Sequence, residues 1–238
     1  MIPQTKISKK RLYQWVEEAV GEAIVKGELQ PGEILPNEND LSDRYNVSRG
    51  VIREATKVLI KKGLVVSRPK TGTQILERSH WNLLDPEVLS WMVQSGQKGQ
   101  ILTAVTETRC IIESEAAKLA AMRGTDTEIN CINNAYAELA NTLTDEAHYQ
   151  YDQYLERDLQ FHMAILGAAH NELLTFIGTT MRDAIIAARQ MDRQEIVVLR
   201  ESLPLHQAVA TAITDRLASK AHAASWKMFD QVWRHLPK

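Results

Sequence analysis

The chain has 238 residues, of which 44% are hydrophobic and 24% charged, with a formal net charge of −2 and a pI near 6.4. This length favours two domains, and the hydrophobic content excludes a disordered chain. No apolar run approaches the ~20 residues of a membrane span, and the first residues lack the apolar stretch of a signal peptide. Two cysteines, Cys110 and Cys131, are too few for a disulfide scaffold or a zinc cluster. We therefore expect a cytoplasmic protein without a membrane segment.

Charge is distributed unevenly along the chain. Residues 1–78 contain 14 Lys and Arg against 10 Asp and Glu, a net charge of +4, whereas residues 79–238 contain 14 against 20, a net charge of −6. Within residues 44–70 there are eight basic residues and one acid, Glu54. A solvated basic face would account for a mild excess. Seven net charges in 27 residues instead favour a surface that binds a polyanion.

The first third of the chain has the pattern of three helices. Apolar residues at helical spacing predict a first helix over 9–26. A short second helix follows the first Pro-Gly turn, with Asn37 or Asn39 as its N-cap. Ser48 is expected to cap a third helix that ends at Lys62.

The third helix and the segment after it have the features of a DNA-binding element. Arg49, Arg53 and Lys57 are spaced i, i+4, i+8 and therefore share one helix face. Two short strands, 64–67 and 73–76, flank a basic turn and predict a β-hairpin. Such a helix fits the major groove, where Arg donates two hydrogen bonds to guanine, and the hairpin reaches the adjacent phosphates. The alternative is a basic surface on a protein-binding domain.

The rest of the chain is helical in pattern. A short helix is predicted over 86–94, after the Asp-Pro step that starts it. The longer predicted helices cover residues 100–123, 126–142, 145–169, 171–192, 195–218 and 220–236. We therefore expect a mainly α protein in three parts. These parts are a winged helix-turn-helix DNA-binding domain (1–78), a linker with a short helix (79–96) and an all-α antiparallel helical bundle (97–238).

A long string of residues in the first third follows a known family pattern. The string consists of Gly27, Pro31-Gly32, Leu35-Pro36, Glu38, Leu41, Val47-Ser48-Arg49, Val51, Arg53-Glu54-Ala55, Leu59, Gly63-Leu64 and Gly72-Thr73. Through it the segment closely resembles the GntR superfamily of bacterial transcription regulators. The resemblance implies DNA contacts by Ser48, Arg49, Gly50, Val51 and Arg53. In FadR-type members an Arg that touches DNA stands at the position of Asn39, so that contact is expected to be weakened or lost.

The hairpin turn is similar to the Arg-Pro-Arg-Thr-Gly-Thr wing of the same family. Lys70 stands in place of the second Arg of that motif. The resemblance adds Arg68, Lys70 and Gly72 to the expected DNA contacts. One short recognition helix reads only a few base pairs, so we expect a homodimer on a pseudo-palindromic operator.

The helical part resembles the FCD ligand-sensing domain of FadR-type GntR proteins. The similarity lies in the segments 107–113 and 158–162 and in the alanine pairs that follow the first of them. The linker string 81–85, Trp-Asn-Leu-Leu-Asp, is most similar to repressors of aldonate pathways such as those for galactonate or gluconate. The resemblance implies a repressor, not an enzyme, that a small sugar acid releases from its operator.

One pair of residues in the bundle suggests a metal site. Asp158 and His162 are i, i+4 and lie on one helix face, where they can bind a divalent metal such as zinc if other helices complete the shell. By itself such a pair is more often a surface hydrogen bond. In the FCD family the matching residues hold a metal together with two later His residues. His206 occupies the first of those positions, but the second is occupied by Met228. We therefore expect the fourth ligand to be absent or to be replaced by water or the effector.

Arg109 is the predicted effector-binding residue. An Arg in an apolar helix should be paired, and Glu113 one turn later can pair with it structurally. In the family the matching Arg faces the effector pocket and grips a carboxylate, and we favour this role. The same regulator with an acyl or amino-acid ligand is an alternative. The polar side chains of Asp158, His162 and His206 disfavour it, because an acyl tunnel requires apolar walls. A metal-dependent hydrolase is a further alternative, but the sequence offers no nucleophile–base arrangement or phosphate loop for it.

Overall fold

The computed structural model describes residues 9–190 and 195–234. The chain divides into two compact units, Met1–Gln97 and Lys98–Lys238. The described residues form ten α-helices and one two-stranded antiparallel sheet. The predicted fold class is confirmed: a helix-turn-helix with a β-hairpin wing is followed by an all-helical domain. Among the described helices, none has the length and apolar character needed to cross a membrane.

The first unit combines the helix-turn-helix, the wing and one further helix. Its elements are α1 (Lys9–Val25), α2 (Glu38–Tyr45), α3 (Arg49–Lys61), β1 (Val65–Arg68), β2 (Gly72–Ile75) and α4 (Pro86–Met92). A π-helical stretch, Val93–Gln97, follows α4 and contains Gly96 with a φ of 88°. Positive φ is readily adopted only by glycine, so the helical path breaks there.

Three polar residues mark the limits of α2 and the start of α3. The Oδ1 atom of Asn37 accepts the backbone N–H groups of Asn39 and Asp40 at 2.9 and 3.1 Å, so Asn37 rather than Asn39 is the N-cap. Asn46 ends α2 in the left-handed region, with a φ of 50°. Ser48 occupies the N-cap of α3, but its side chain makes no capping hydrogen bond. The Ser48 hydroxyl therefore remains available at the start of α3.

A buried lysine joins α4 to the helix-turn-helix. Lys62, the C-cap of α3, places its Nζ 2.7 Å from Oδ1 of Asp85 and 2.6 Å from Oε2 of Glu87, and Oε1 of Glu17 lies 3.5 Å away. Asp85 also caps α4, because its Oδ1 accepts two backbone N–H groups of that helix. The helix that the sequence assigned to a linker thus lies in the first compact unit.

The wing is a short hairpin whose two strands each begin and end one residue away from the predicted strands. Val65 pairs with Ile75 and Arg68 with Gly72. Ile34, before α2, forms an isolated bridge to Gln74. This bridge attaches the hairpin to the segment that leads into the helix-turn-helix.

The second unit is built from six described helices. They are α5 (Lys98–Arg123), α6 (Asp126–Asn141), α7 (Tyr151–Ala168), α8 (Glu172–Gln190), α9 (Ile196–Thr214) and α10 (Ala218–Arg234). The prediction started α7 at residue 145, but 145–150 form a bend in which Asp145 accepts the N–H of Ala147 at 2.9 Å. The predicted helix ends at 192 and 236 lie outside the described residues.

Helix α5 lies at the centre of the second unit. It packs against α7, α8, α9 and α10, while α6 packs against α7 and α9. Four alanines in the second half of α5, Ala116, Ala117, Ala120 and Ala121, are buried. Small side chains let neighbouring backbones approach closely, which is how one helix can contact so many others. The same helix carries two buried charged residues, Arg109 and Glu113, among these apolar neighbours.

Candidate functional site

The exposed face of α3 carries the basic residues predicted from the sequence. Arg49, Arg53 and Lys57 are all exposed, and Ser48 is exposed at the start of the helix. Val51 differs, because its side chain is only 2% exposed and belongs to the core of the unit. Only its main chain is left for a DNA contact, and we assign its side chain to the domain core.

Two residues at the start of α2 contact the arginines of α3. The Nε atom of Arg53 lies 2.9 and 2.8 Å from the two carboxylate oxygens of Glu38. The Nη1 atom of Arg49 lies 3.4 Å from Oδ1 of Asn39. The hydrogen bond from Arg53 lowers the pKa of Glu38 from its ordinary value, so this carboxylate is ionised at neutral pH. From the sequence, Glu38 was identified only as part of the family pattern.

The three predicted wing residues are exposed at the tip of the hairpin. Arg68 ends β1 and Gly72 begins β2, and Lys70 lies in the turn between them. Both Lys70 and Gly72 have positive φ, 66° and 99°. The turn therefore has a fixed left-handed geometry that places the ammonium group of Lys70 at the tip of the hairpin.

The helical unit has a buried polar cluster contributed by three helices. Its members are Arg109 and Glu113 of α5, Asp158 and His162 of α7, and His206 of α9, and each is nearly inaccessible to solvent. The ligand atoms of Asp158, His162 and His206 all lie within 4.8 Å of one another. Since charged groups are buried only when paired or when they bind a ligand, this cluster is the candidate effector and metal site.

His206 is oriented by a main-chain contact. Its Nδ1 lies 2.9 Å from the carbonyl oxygen of Ser202, which can only accept, so Nδ1 carries the proton. Its Nε2 lies 3.1 Å from Oδ1 of Asp158. A nitrogen lone pair and a carboxylate oxygen repel each other at this distance unless a proton or a metal cation lies between them. The donor set therefore fits a divalent cation.

His162 contacts both Asp158, another candidate metal ligand, and Glu113, which pairs with Arg109 on α5. Its Nε2 lies 3.7 Å from Oδ1 of Asp158, and its Nδ1 lies 2.5 Å from Oε2 of Glu113. Among the described residues, neither Nδ1 of His162 nor Oε2 of Glu113 has a well-aligned hydrogen bond despite their proximity. Glu113 therefore contacts both Arg109 and His162 within the cluster.

The charges of the cluster shift the pKa values of its acids. Burial raises the pKa of Glu113, but Arg109 and His162 outweigh it and lower that pKa to about 2. Burial likewise acts to raise the pKa of Asp158, and His162 and His206 hold it well below its ordinary value. Burial opposes the charged form of His162, yet the carboxylate of Glu113 raises its pKa. Both carboxylates are therefore anionic at neutral pH.

Arg109 is paired on one side and open on the other. Its Nε donates to Oε1 of Glu113 at 2.7 Å, which is the structural pairing weighed from the sequence. Its guanidinium carbon lies 5.0 Å from the ring centre of Phe229. Its Nη2 is buried, and no described residue accepts a hydrogen bond from it. A buried donor without a partner is unfavourable, so this atom is suited to a ligand oxygen.

Family models match both units of the chain. The model for bacterial regulatory proteins of the gntR family matches residues 12–75, and the FCD domain model matches residues 104–231. The chain belongs to the GntR family. It is therefore a transcription regulator with an FCD domain and not an enzyme, as predicted from the sequence.

Relatives of known sequence align over most of the chain. The uncharacterized HTH-type transcriptional regulator YieP of Escherichia coli strain K12 is 32% identical over 87% of this chain and 87% of its own length. The galactonate operon transcriptional repressor of the same strain is 28% identical, over 91% of this chain and 93% of its own. The HTH-type transcriptional repressor NanR of Klebsiella aerogenes is 30% identical, over 98% and 89%.

Solved structures share the fold of this GntR protein. The Lar protein, described as controlling the Listeria monocytogenes agr system, has a TM-score of 0.64 and 16% identity, over 98% of this chain and 100% of its own. Streptococcus agalactiae GntR has a TM-score of 0.51 and 21% identity, over 93% and 99%. These likenesses show the fold alone.

Two further residues bear on the candidate metal site. Met228, at the expected fourth ligand position, is buried in the hydrophobic cluster that includes Phe161 and Phe229. His222 lies elsewhere, with its Nε2 3.5 Å from Oε1 of Glu115. Among the described residues, the group able to hold a metal therefore consists of Asp158, His162 and His206.

Proposed function

We propose that this GntR protein is the repressor of a sugar-acid catabolic operon and that an aldonate such as galactonate or gluconate releases it from operator DNA. The observation that carries the proposal is the unpartnered Nη2 of buried Arg109, in the same buried cluster as Asp158, His162 and His206. A guanidinium grips a carboxylate more specifically than an ammonium does, because its planar donors match two oxygens. The relative that represses a galactonate operon supports the same ligand class.

Asp158, His162 and His206 would hold a divalent metal, zinc or a similar ion, in this proposal. When bound, the metal supplies a positive charge and open coordination positions for carboxylate and hydroxyl oxygens. Residues of the chain position the metal ligands and the acid. Ser202 fixes the ring of His206, Glu113 balances the charge of Arg109, and Arg109 orients the acid. An acyl chain would leave these buried polar groups without partners, which disfavours it.

The DNA-binding half of the proposal uses two copies of the first unit on a pseudo-palindromic operator. Each recognition helix α3 enters a major groove with its N-terminus on a phosphate, and each wing contacts the flanking backbone. The residues assigned to these contacts are Ser48 at the N-cap of α3, Arg49, Gly50 and Arg53 on α3, and Arg68, Lys70 and Gly72 on the wing. Only the main chain of Val51 would contribute.

Release requires coupling between the two ligands. The acid must bind the DNA-free state more tightly than the DNA-bound state, since equal affinities shift nothing. By linkage, the factor by which the acid weakens DNA binding equals the factor by which DNA weakens acid binding. A homodimer makes this effective, because a small change in the spacing of two recognition helices affects both half-sites.

The experiment is a panel of aldonates and uronates tested by thermal shift and by operator affinity. We expect one aldonate to raise the unfolding midpoint and weaken operator binding, with the reciprocal effect measured by calorimetry. Arg109→Lys should lose the response, whereas Arg182→Lys, which changes a partly exposed arginine paired with Glu156, should keep it. If no acid of the panel changes either quantity, the proposed effector class is wrong.

A further inference from the structure

The N-terminal turn of α2 lies against the exposed face of α3. The two residues that open α2 after its cap are Glu38 and Asn39, and the first turns of α3 carry Arg49 and Arg53. Glu38 and Arg53 are 15 positions apart, so only the helix-turn-helix fold brings them together. Arg53 and Glu38 are 61% and 44% exposed, and a contact between such exposed ions adds little to stability.

The Glu38–Arg53 contact leaves the two terminal nitrogens of the Arg53 guanidinium, Nη1 and Nη2, free to donate to a base. Both carboxylate oxygens of Glu38 lie within 2.9 Å of Nε of Arg53. The contact thus uses Nε, while Nη1 and Nη2 remain for another partner. Two parallel guanidinium donors are what an arginine presents to O6 and N7 of guanine in the major groove.

Asn39 contacts Arg49 in the same way that Glu38 contacts Arg53, through a side-chain oxygen at the start of α2. Its Oδ1 lies 3.4 Å from Nη1 of Arg49, a longer contact than that of Glu38. The side-chain amide is neutral, and it holds the arginine without neutralising its charge. From the family resemblance, the DNA contact at the position of Asn39 was expected to be weakened or lost, but here Asn39 touches Arg49, a residue assigned to DNA contact.

We infer that Glu38 and Asn39 are positioning residues that set the side chains of Arg53 and Arg49 for base contacts and so determine operator specificity. The inference rests on the proposed DNA contacts of these two arginines. A long side chain loses rotamer freedom when it binds, and a side chain held beforehand loses less. The carboxylate of Glu38 also repels phosphates, so it weakens binding to any DNA while favouring the correct sequence.

The test compares specific with non-specific binding by the full chain. The unaltered protein first selects its site from random-sequence duplex DNA, and Kd is then measured for that site and for a scrambled duplex. We expect Glu38→Ala to lower the ratio of the two affinities about tenfold, while binding to scrambled DNA stays equal or tightens. Asn39→Ala should lower the ratio about threefold, because its contact is longer.

Matched variants separate positioning from a structural role. Asp40→Ala removes the same charge from the same turn without touching Arg53, and it should change the ratio less than about twofold. Glu38→Gln keeps an accepting oxygen and should lose less than Glu38→Ala. In an Arg53→Ala background, Glu38→Ala should have no further effect on the ratio. The thermal midpoint of each variant reports whether it folds.

The outcomes distinguish this inference from the proposed function. If Arg53→Ala lowers the ratio but Glu38→Ala and Glu38→Gln do not, only the positioning role is overturned. Equal losses in Glu38→Ala and Asp40→Ala also overturn it, since the effect would then belong to helix charge. If the unaltered protein enriches no sequence, or if Arg53→Ala leaves the ratio unchanged, the proposed DNA contacts fail and the inference fails with them.

Discussion

The Nε2 atom of His206 lies 3.1 Å from Oδ1 of Asp158, although the two residues are 48 positions apart in the chain. This contact joins α9 to α7 inside the buried cluster of the second unit. Because the Nδ1 of His206 already donates to a carbonyl oxygen, the pair is poised for a cation between nitrogen and oxygen.

We predict that His206→Ala weakens zinc binding by more than about 100-fold, since the loss of an outer-shell partner alone costs about 10- to 100-fold. Competition with a chelating dye measures the affinity, and elemental analysis of the purified protein gives the metal content. His222→Ala is the matched control, because that histidine pairs with Glu115 outside the cluster and its loss should leave the affinity unchanged. Equal losses in both variants would contradict the assigned site.

We predict that Arg109→Ala destabilises the second unit by about 3–5 kcal/mol, because it leaves the carboxylate of Glu113 buried without its main counter-ion. Urea unfolding followed by circular dichroism measures the loss. In the double variant Arg109→Ala, Glu113→Ala the total loss should be smaller than the sum of the single losses. Additive losses would show that the two side chains do not act as a pair.

We predict that the first unit loses stability as the pH rises from 5 to 8. Burial and the carboxylate of Glu87 raise the pKa of Glu17 to about 7, against the opposing effect of Lys62. A group with a raised folded-state pKa contributes stability that is full below its unfolded value and is lost as the pH passes the folded value. The loss should be on the order of 3 kcal/mol at most.

The measurement for Glu17 is hydrogen exchange of the α1 amides at pH 5 and pH 8, corrected for intrinsic exchange. Glu17→Gln, which stays neutral, should remove most of the pH dependence between these values. Glu18→Gln changes an exposed neighbour and serves as the control. A pH dependence that survives in Glu17→Gln would assign it to another group.

We predict that Gly63→Ala is much more destabilising than Gly32→Ala, although both glycines have positive φ, 73° and 88°. A Cβ at residue 63 would lie 2.1 Å from the carbonyl oxygen of His80, whereas a Cβ at residue 32 meets nothing within 4 Å. Gly32→Ala should cost about 1–2 kcal/mol for the backbone strain. Gly63→Ala should cost about 3 kcal/mol or more, because main chain must move. Urea unfolding of the two variants, followed by tryptophan fluorescence, makes the comparison.

Local sequence signals were sufficient for the elements of the first unit. The third helix was predicted to end at Lys62, and α3 ends at Lys61 with Lys62 as its C-cap. The two predicted strands are each shifted by one residue in the hairpin. Caps and turns are set by neighbours within a few residues, so they can be read from the chain itself. The start of α7 was missed by six residues, because helical periodicity does not mark a bend capped by Asp145.

The burial of individual side chains was harder to predict. Val51 was expected at the DNA because of its place in the motif, but it lies on the apolar side of α3 that packs into the core. Lys62 was counted as part of a basic surface, yet it is buried among three carboxylates. A helix face is visible in the sequence, but what packs against that face is not.

The sequence by itself determined the family pattern, the helix-turn-helix with its wing, and the i, i+4 spacing of Asp158 and His162. These features depend on local propensity and periodicity, which act over a few residues. The family resemblance added His206 to this pair, and the tertiary structure decided that Glu113 lies beside His162 and that Arg109 has one donor left over. It also decided that Glu38 contacts Arg53. Such contacts join residues far apart in the chain, so they follow from packing and not from spacing.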